Sequence, residues 1–363
     1  MIGQLYHEIY LYTAIVLTLI CAIYNFNRSF NQISIGSTSQ NGLTILVSVC
    51  LIFFLGAREL SYAFGDTGNY VFIYNSVSAG HMSIGEQDPL WGELILWCLP
   101  YFEARGYIRL IAALYIGFTA LACIKLFPRN SFIAFLFNIG AFSFYTYGVN
   151  GIRNGMACAI VLLAIALMTG NVKEKICGII LGIIATGFHK STTLPVVTAI
   201  VALIGIKNFS TALKFWVLSI GLSLIAGNWF SEFFATLGFD DRLDYLQEEM
   251  EQGTFSRTGF RWDFLIYSAM PILLGYYIII KRGIRNATYE FILNTYVLAN
   301  AFWILVIRAN YSNRFAYLSW FLYPMVLAFP LLKVDVWEEL QGKRLAQIIT
   351  AQVAFTWFMS TLY

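Results

Sequence analysis

YGVNGIRNGMACAIVLLAIAL, residues 147–167, decides the fold. From Ile152 the run is apolar to Thr169, with Arg153 its only charged residue. About 20 such residues cross a hydrocarbon core. The run is continuous and does not alternate, so it reads as a helix and not as a barrel strand. Asn150, Arg153 and Asn154 have the i, i+3, i+4 spacing of one helix face. Gly151 and Gly155 remove bulk beside the guanidinium, so a ligand or another helix can come close to the backbone. A helix start also presents free N–H groups and partial positive charge, and an arginine there adds to a place that already favours anions.

The rest of the chain repeats this pattern. Hydrophobic residues make up 59% of the 363 and charged residues 12%, against about 25% charge in soluble domains. Mean hydropathy is +0.68. The expected fold is all-α: a polytopic helical membrane protein of about twelve transmembrane helices. The spans fall near 8–25, 42–57, 109–127, 131–148, 152–169, 176–188, 191–206, 214–230, 262–280, 288–306, 315–332 and 345–362. The first apolar stretch follows Glu8 and lacks a basic lead, so a span is expected there and not a cleaved leader. Pro89 to Pro100 is apolar but only 12 residues long, which fits a re-entrant or interfacial helix. Residues 1–363 are taken as one integral-membrane domain with outward segments at about 58–108 and 228–260, the latter carrying the acidic run Asp240 to Glu251. The six cysteines are scattered singly, as packing thiols are.

Lysines and arginines fall in every second connector (Lys125/Arg129, Lys173/Lys175, Lys207/Lys214, Lys281/Arg282/Arg285, Lys333/Lys343/Arg344), which places those loops in the cytoplasm. Eight of the 23 basic residues remain on the outer side. Arg58, Asp66, Arg153, His189, Arg308 and Arg314 all gather there, at or just beyond the ends of apolar stretches. An ionised group at membrane depth costs about 2.5–3.5 kcal/mol by insertion scales. Six together point to a charged ligand.

The residue types narrow that ligand. Arginines bind phosphate bidentately, and several at one face suit a diphosphate better than a single carboxylate. His189 lies in GFHKSTTLPV, a break between apolar segments. Irregular backbone at membrane depth is tolerated where it is buried in protein or lines a wet cavity. No Walker loop, dinucleotide fingerprint or zinc motif is present. Asp66, Glu86, Asp88 and Glu93 show no repeated DxD pattern, so no metal and no cofactor are expected. No basic run is long enough for nucleic acid.

Several short motifs then occur in order: Arg58 with Gly65-Asp66-Thr67 and Tyr70; Asp88-Pro89-Leu90-Trp91; Asn150 with Arg153-Asn154 and Ala157; Phe188-His189-Lys190-Ser191; and Arg314-Phe315 with Tyr317, Trp320 and Pro324. Over about residues 45–330 this resembles the EpsG-like family of bacterial polysaccharide polymerases, related to Wzy-type O-antigen and capsule polymerases. Asp88 departs from the pattern, where a glutamate is expected before Pro-Leu. The resemblance implies a glycosyltransferase of GT-C-like architecture in the bacterial inner membrane, with its site facing the periplasm or cell exterior. Its substrates would be polyprenyl-diphosphate-linked oligosaccharides, its surroundings membrane lipids, and its partners a flippase and a chain-length regulator. On this reading Arg153, Arg308 and Arg314 bind diphosphates, with Arg58 behind them. Asp66 or His189 is the base, and Tyr70, Asp88, Asn150, Asn154 and Lys190 line the glycan. An O-antigen ligase, a flippase or other transporter, and a membrane acyltransferase are the competing classes.

Overall fold

Every element in the computed structural model is helical, with no strand among the residues it describes: 2–34, 40–83, 85, 88–236, 259–308 and 312–362. The acidic run 240–251, Glu86 and Tyr311 lie outside the described residues. The first helices are α1 Ile2–Asn25, α2 Gln40–Gly56, α3 Thr67–Ser78, α4 Pro89–Cys98, α5 Ala104–Leu126, α6 Ser131–Ile139, α7 Phe144–Val149 and α8 Ile152–Met168. They are followed by α9 Val172–Phe188, α10 Thr193–Ile204, α11 Phe209–Thr236, α12 Trp262–Gly275, α13 Ala287–Leu305, α14 Ser312–Trp320, α15 Tyr323–Lys333 and α16 Gln341–Leu362.

Among the described residues, five helical stretches are long and apolar enough to cross a membrane: Ile2–Asn25, Ala104–Leu126, Phe209–Phe230, Trp262–Lys281 and Ser312–Lys333. Gln40–Gly56, Ile152–Met168 and Lys190–Ile204 are apolar but shorter. Two of the stretches expected as single helices are interrupted, the second of them inside the Ser312–Lys333 stretch. Residues 131–148 divide into α6 and α7, with Gly140 closing the first. Residues 315–332 divide before Pro324, which lacks an N–H and suits the first turn of a new helix. Hydropathy averages over such breaks because both halves are apolar.

The chain forms two compact units, Met1–His189 with Leu327–Tyr363, and Lys190–Val326. In the first, α5 packs on α2 and α8, α8 on α9, and α1 on α16. Helix α8 is apolar on nearly every side because neighbours cover it from two directions. In the second, α13 is the hub for α10, α11, α12 and α14. There the buried Asn300 amide accepts from Trp216 Nε1 (2.8 Å) and donates to Ser319 Oγ (3.0 Å), so a polar group in an apolar core is satisfied from both ends.

Gln341 closes one end of the first unit. Its Nε2 lies 3.1, 3.0 and 2.8 Å from the carbonyls of Pro330, Leu331 and Val334, while its Oε1 accepts from the N–H groups of Val336 and Trp337. These are terminal backbone groups that α15 cannot pair itself. Gln341 is fully buried, so Gln341→Leu should strand them and lower stability by about 2–4 kcal/mol. A reduced thermal midpoint of the detergent-solubilised variant is the check; an unchanged midpoint rejects this role.

Candidate active site

Asp88 is the centre of the best-defined polar cluster, and it arrives there by giving up a common task. It precedes Pro89 at the start of α4, the position where an aspartate usually accepts from the first turn's N–H groups. No such side-chain cap bond forms here. The carboxylate instead points Oδ2 at Arg153 Nη1 (2.8 Å) and His189 Nδ1 (3.4 Å). Forgoing a cap costs about 1 kcal/mol, which the charged contacts offset.

Three helix ends supply the cluster. Arg153 is the second residue of α8. Gly155, one turn on, lies so close to the Tyr147 carbonyl that any Cβ there would collide with it, which folds α7 tightly onto α8. The close approach permitted by this glycine is therefore made by a neighbouring helix. His189 ends α9 in an extended conformation, its N–H bonded to Ala185 O at 3.1 Å. Gly187 lets Leu90 pack against α9, since a Cβ added there would lie only 2.6 Å from Leu90 Cδ1, and this holds the Asp88 end of α4 beside His189.

Exposure divides the three. The side chains of Asp88 and His189 are 5% and 4% exposed, whereas Arg153 is 30% exposed. Arg153 Nε is buried with no hydrogen-bond partner among the described residues. The arginine thus has one face on a carboxylate and further donor capacity for an anion.

A second layer joins α3 to the α7–α8 corner. Asn150 does not share the helical face of Arg153, as its spacing suggested, because α7 ends at Val149 and α8 starts at Ile152. Its Oδ1 accepts from Asp66 N–H (2.7 Å), and Thr67 Oγ1 donates to Val149 O (2.6 Å). Gly65 has φ +60, and a Cβ there would lie 2.5 Å from Asn150 Oδ1, so the turn that presents Asp66 requires glycine. The Asp66 carboxylate is half-exposed and accepts no hydrogen bond among the described residues. Tyr70 is half-buried with its ring edge-on to Trp91, which in turn meets Tyr107.

Two assignments made from sequence change. Arg58, placed among the diphosphate binders, is 1% exposed, with Nη1 on Leu55 O (2.6 Å) and Nε on Thr67 Oγ1 (3.1 Å). It braces α2 to α3. Burial lowers its pKa to about 10, so it stays cationic at neutral pH. Asn154, placed on the glycan, is 2% exposed and accepts from the Cys158 thiol at 3.4 Å, which leaves it no surface for a sugar.

The remaining assignments fall in the second unit. Lys190 is exposed and opens a short 3₁₀ turn. Arg308 is half-buried against Gly227, just past the kink of α11 at Ala226. Its guanidinium carbon is 5.8 Å from the Phe260 ring centre, and its Nε has no partner among the described residues. Arg314 lies half-buried on α14. Arg261, not singled out from sequence, is paired through two nitrogens with Asp263 at the start of α12. Among the described residues no group of His, Cys, Asp and Glu side chains is arranged to hold a metal ion.

Apolar helices of spanning length, together with an Asp–Arg–His cluster at the ends of three shorter helices, define an all-helical membrane protein with a charged cluster. The EpsG family model matches residues 43–361, and the chain belongs to that family. No curated protein and no solved structure matches it.

Proposed function

We propose that this protein is a polysaccharide polymerase of the bacterial inner membrane. It transfers a growing glycan from polyprenyl diphosphate to a new polyprenyl-diphosphate-linked repeat at the outer leaflet. The observation that carries this reading is family membership over residues 43–361. The Arg153–Asp88–His189 cluster supplies groups suited to the chemistry.

In the reaction, an acceptor sugar hydroxyl attacks the anomeric carbon of the donor glycan. The new glycosidic C–O bond forms as the bond from that carbon to the diphosphate breaks. The hydroxyl proton passes to a base, and polyprenyl diphosphate departs with the electron pair. Arg153, the exposed member of the cluster, stabilises the charge growing on that leaving group. His189 takes the proton. Asp88, with Oδ2 3.4 Å from Nδ1, stabilises the imidazolium that results. Asp66 and Tyr70 bind the incoming sugar. Arg308 and Arg314 of the second unit bind lipid diphosphate. The energy resides in the donor, so the reaction needs no nucleotide sugar. A flippase supplies the substrate from the cytoplasm, and a chain-length regulator sets the product size.

Glycan analysis of a deletion strain tests this reading. Loss of a polymerase leaves single repeats on the final acceptor, and restoring the gene restores long chains. Lipid-linked polymer in the deletion strain would instead identify a ligase, and repeats retained inside the cell a flippase.

A further inference from the structure

A cavity of about 350 Å3 opens in the first unit where the 30–34 segment, the link from α5 to α6 and the end of α15 meet. We propose that it binds a phosphate group. Trp91 touches Tyr107 near the start of α5, whereas Phe127, just beyond its end, lines this cavity. The 23 residues of α5 are about 34 Å of helix, so the cavity is separate from the Asp88 cluster.

Its lining is suited to an anion. Arg129 and Lys333 bring two positive charges from different segments, and Asn31, Ser34 and Asn130 bring neutral polar groups. Both cations are exposed, and among the described residues neither has a carboxylate within ion-pair distance. The nearby Lys125, by contrast, is paired with Glu174. The walls are also braced without a ligand. Arg28 Nη1 donates to Gln32 O (2.9 Å) and Ser34 Oγ (3.1 Å), and Asn25 Oδ1 accepts from Ser34 N–H (3.0 Å). With its amide turned to suit its neighbours, Asn130 donates to Ile33 O at 3.0 Å. A preformed cleft with two unpaired cations, lined also by Asn31 and the Ser34 hydroxyl, is the arrangement that recognises phosphate. Basic clefts between membrane helices take phospholipid headgroups by the same chemistry, and soluble phosphate is the other source.

The test uses the full-length protein in neutral detergent, with thermal midpoint followed against phosphatidylglycerol, inorganic phosphate and diacylglycerol. Phosphatidylglycerol is expected to raise the wild-type midpoint, and diacylglycerol to leave it unchanged. The Arg129→Ala/Lys333→Ala variant should bind about tenfold or more weakly. Both side chains are exposed, so this variant keeps its fold, and Lys173→Ala, a change at another exposed cation, should behave as wild type. A shift with phosphatidylglycerol alone identifies a lipid headgroup; a shift with inorganic phosphate as well means that phosphate suffices. The proposal is overturned if neither phosphate-bearing probe shifts the wild type, if diacylglycerol acts equally, or if the double variant keeps the full shift. None of these readouts depends on polymer synthesis.

Discussion

Arg153→Ala should reduce polymer-forming turnover by about 10²–10³-fold, the loss typical when one preorganised donor to a developing negative charge is removed. The loss has a structural component to be separated from the chemical one. Removing the guanidinium takes away the cation 2.8 Å from the Asp88 carboxylate, which is 5% exposed. Breaking a fully buried pair costs about 3–5 kcal/mol. Arg153 is 30% exposed, so water can reach the gap and the penalty is smaller. Arg153→Met combined with Asp88→Asn removes both charges and should recover stability without recovering turnover. Arg153→Lys keeps the charge but loses the planar fork, and should stay well below wild type. Polymer of wild-type length and amount from Arg153→Ala, at equal protein level, would remove Arg153 from the mechanism.

Much of this site was legible as a set of segments, and less of it as a set of roles. Arg153 announced itself because a lone charge opening an apolar run is costly, and His189 because its segment breaks an otherwise continuous apolar stretch. Both breaks are real: Gly151 precedes α8, and His189 ends α9. Asp88, an acidic residue before Pro-Leu, was assigned to the glycan and not to Arg153 and His189. Its role depends on contacts with residues 65 and 101 positions away, which local periodicity cannot encode. Asn150 and Arg58 show the opposite error. Spacing placed Asn150 on the Arg153 face, but the break between α7 and α8 at residues 150–151 turns its side chain toward Asp66. Arg58 looked like an outward cation because nothing in the sequence shows that Leu55 O and Thr67 Oγ1 meet it. The helical class followed securely from hydropathy, whereas breaks such as Gly140 and Pro324 lie within runs whose average hydropathy stays high.

The second large effect concerns the proton. Sequence left Asp66 and His189 as rival bases, and their surroundings favour His189. Its Nδ1 lies 3.4 Å from Asp88 Oδ2, so the carboxylate stands where it stabilises the imidazolium formed when His189 takes a proton. Asp66 is half-exposed in a polar turn, and its carboxylate accepts no hydrogen bond among the described residues that would position it. His189→Gln should therefore lower kcat by about 10²–10⁴-fold with little change in KM, the range for a positioned general base. Asp66→Asn should act mainly on KM and cost less than about tenfold in kcat, as a lost sugar contact does. Asp88→Asn supplies the third comparison. It removes the negative charge 3.4 Å from Nδ1 that stabilises the imidazolium. It should fall almost as far in kcat as His189→Gln while the protein remains folded. If Asp66→Asn proves the most damaging of the three in kcat, the proton goes to the aspartate, and Asp88 and His189 serve only to hold Arg153 in place.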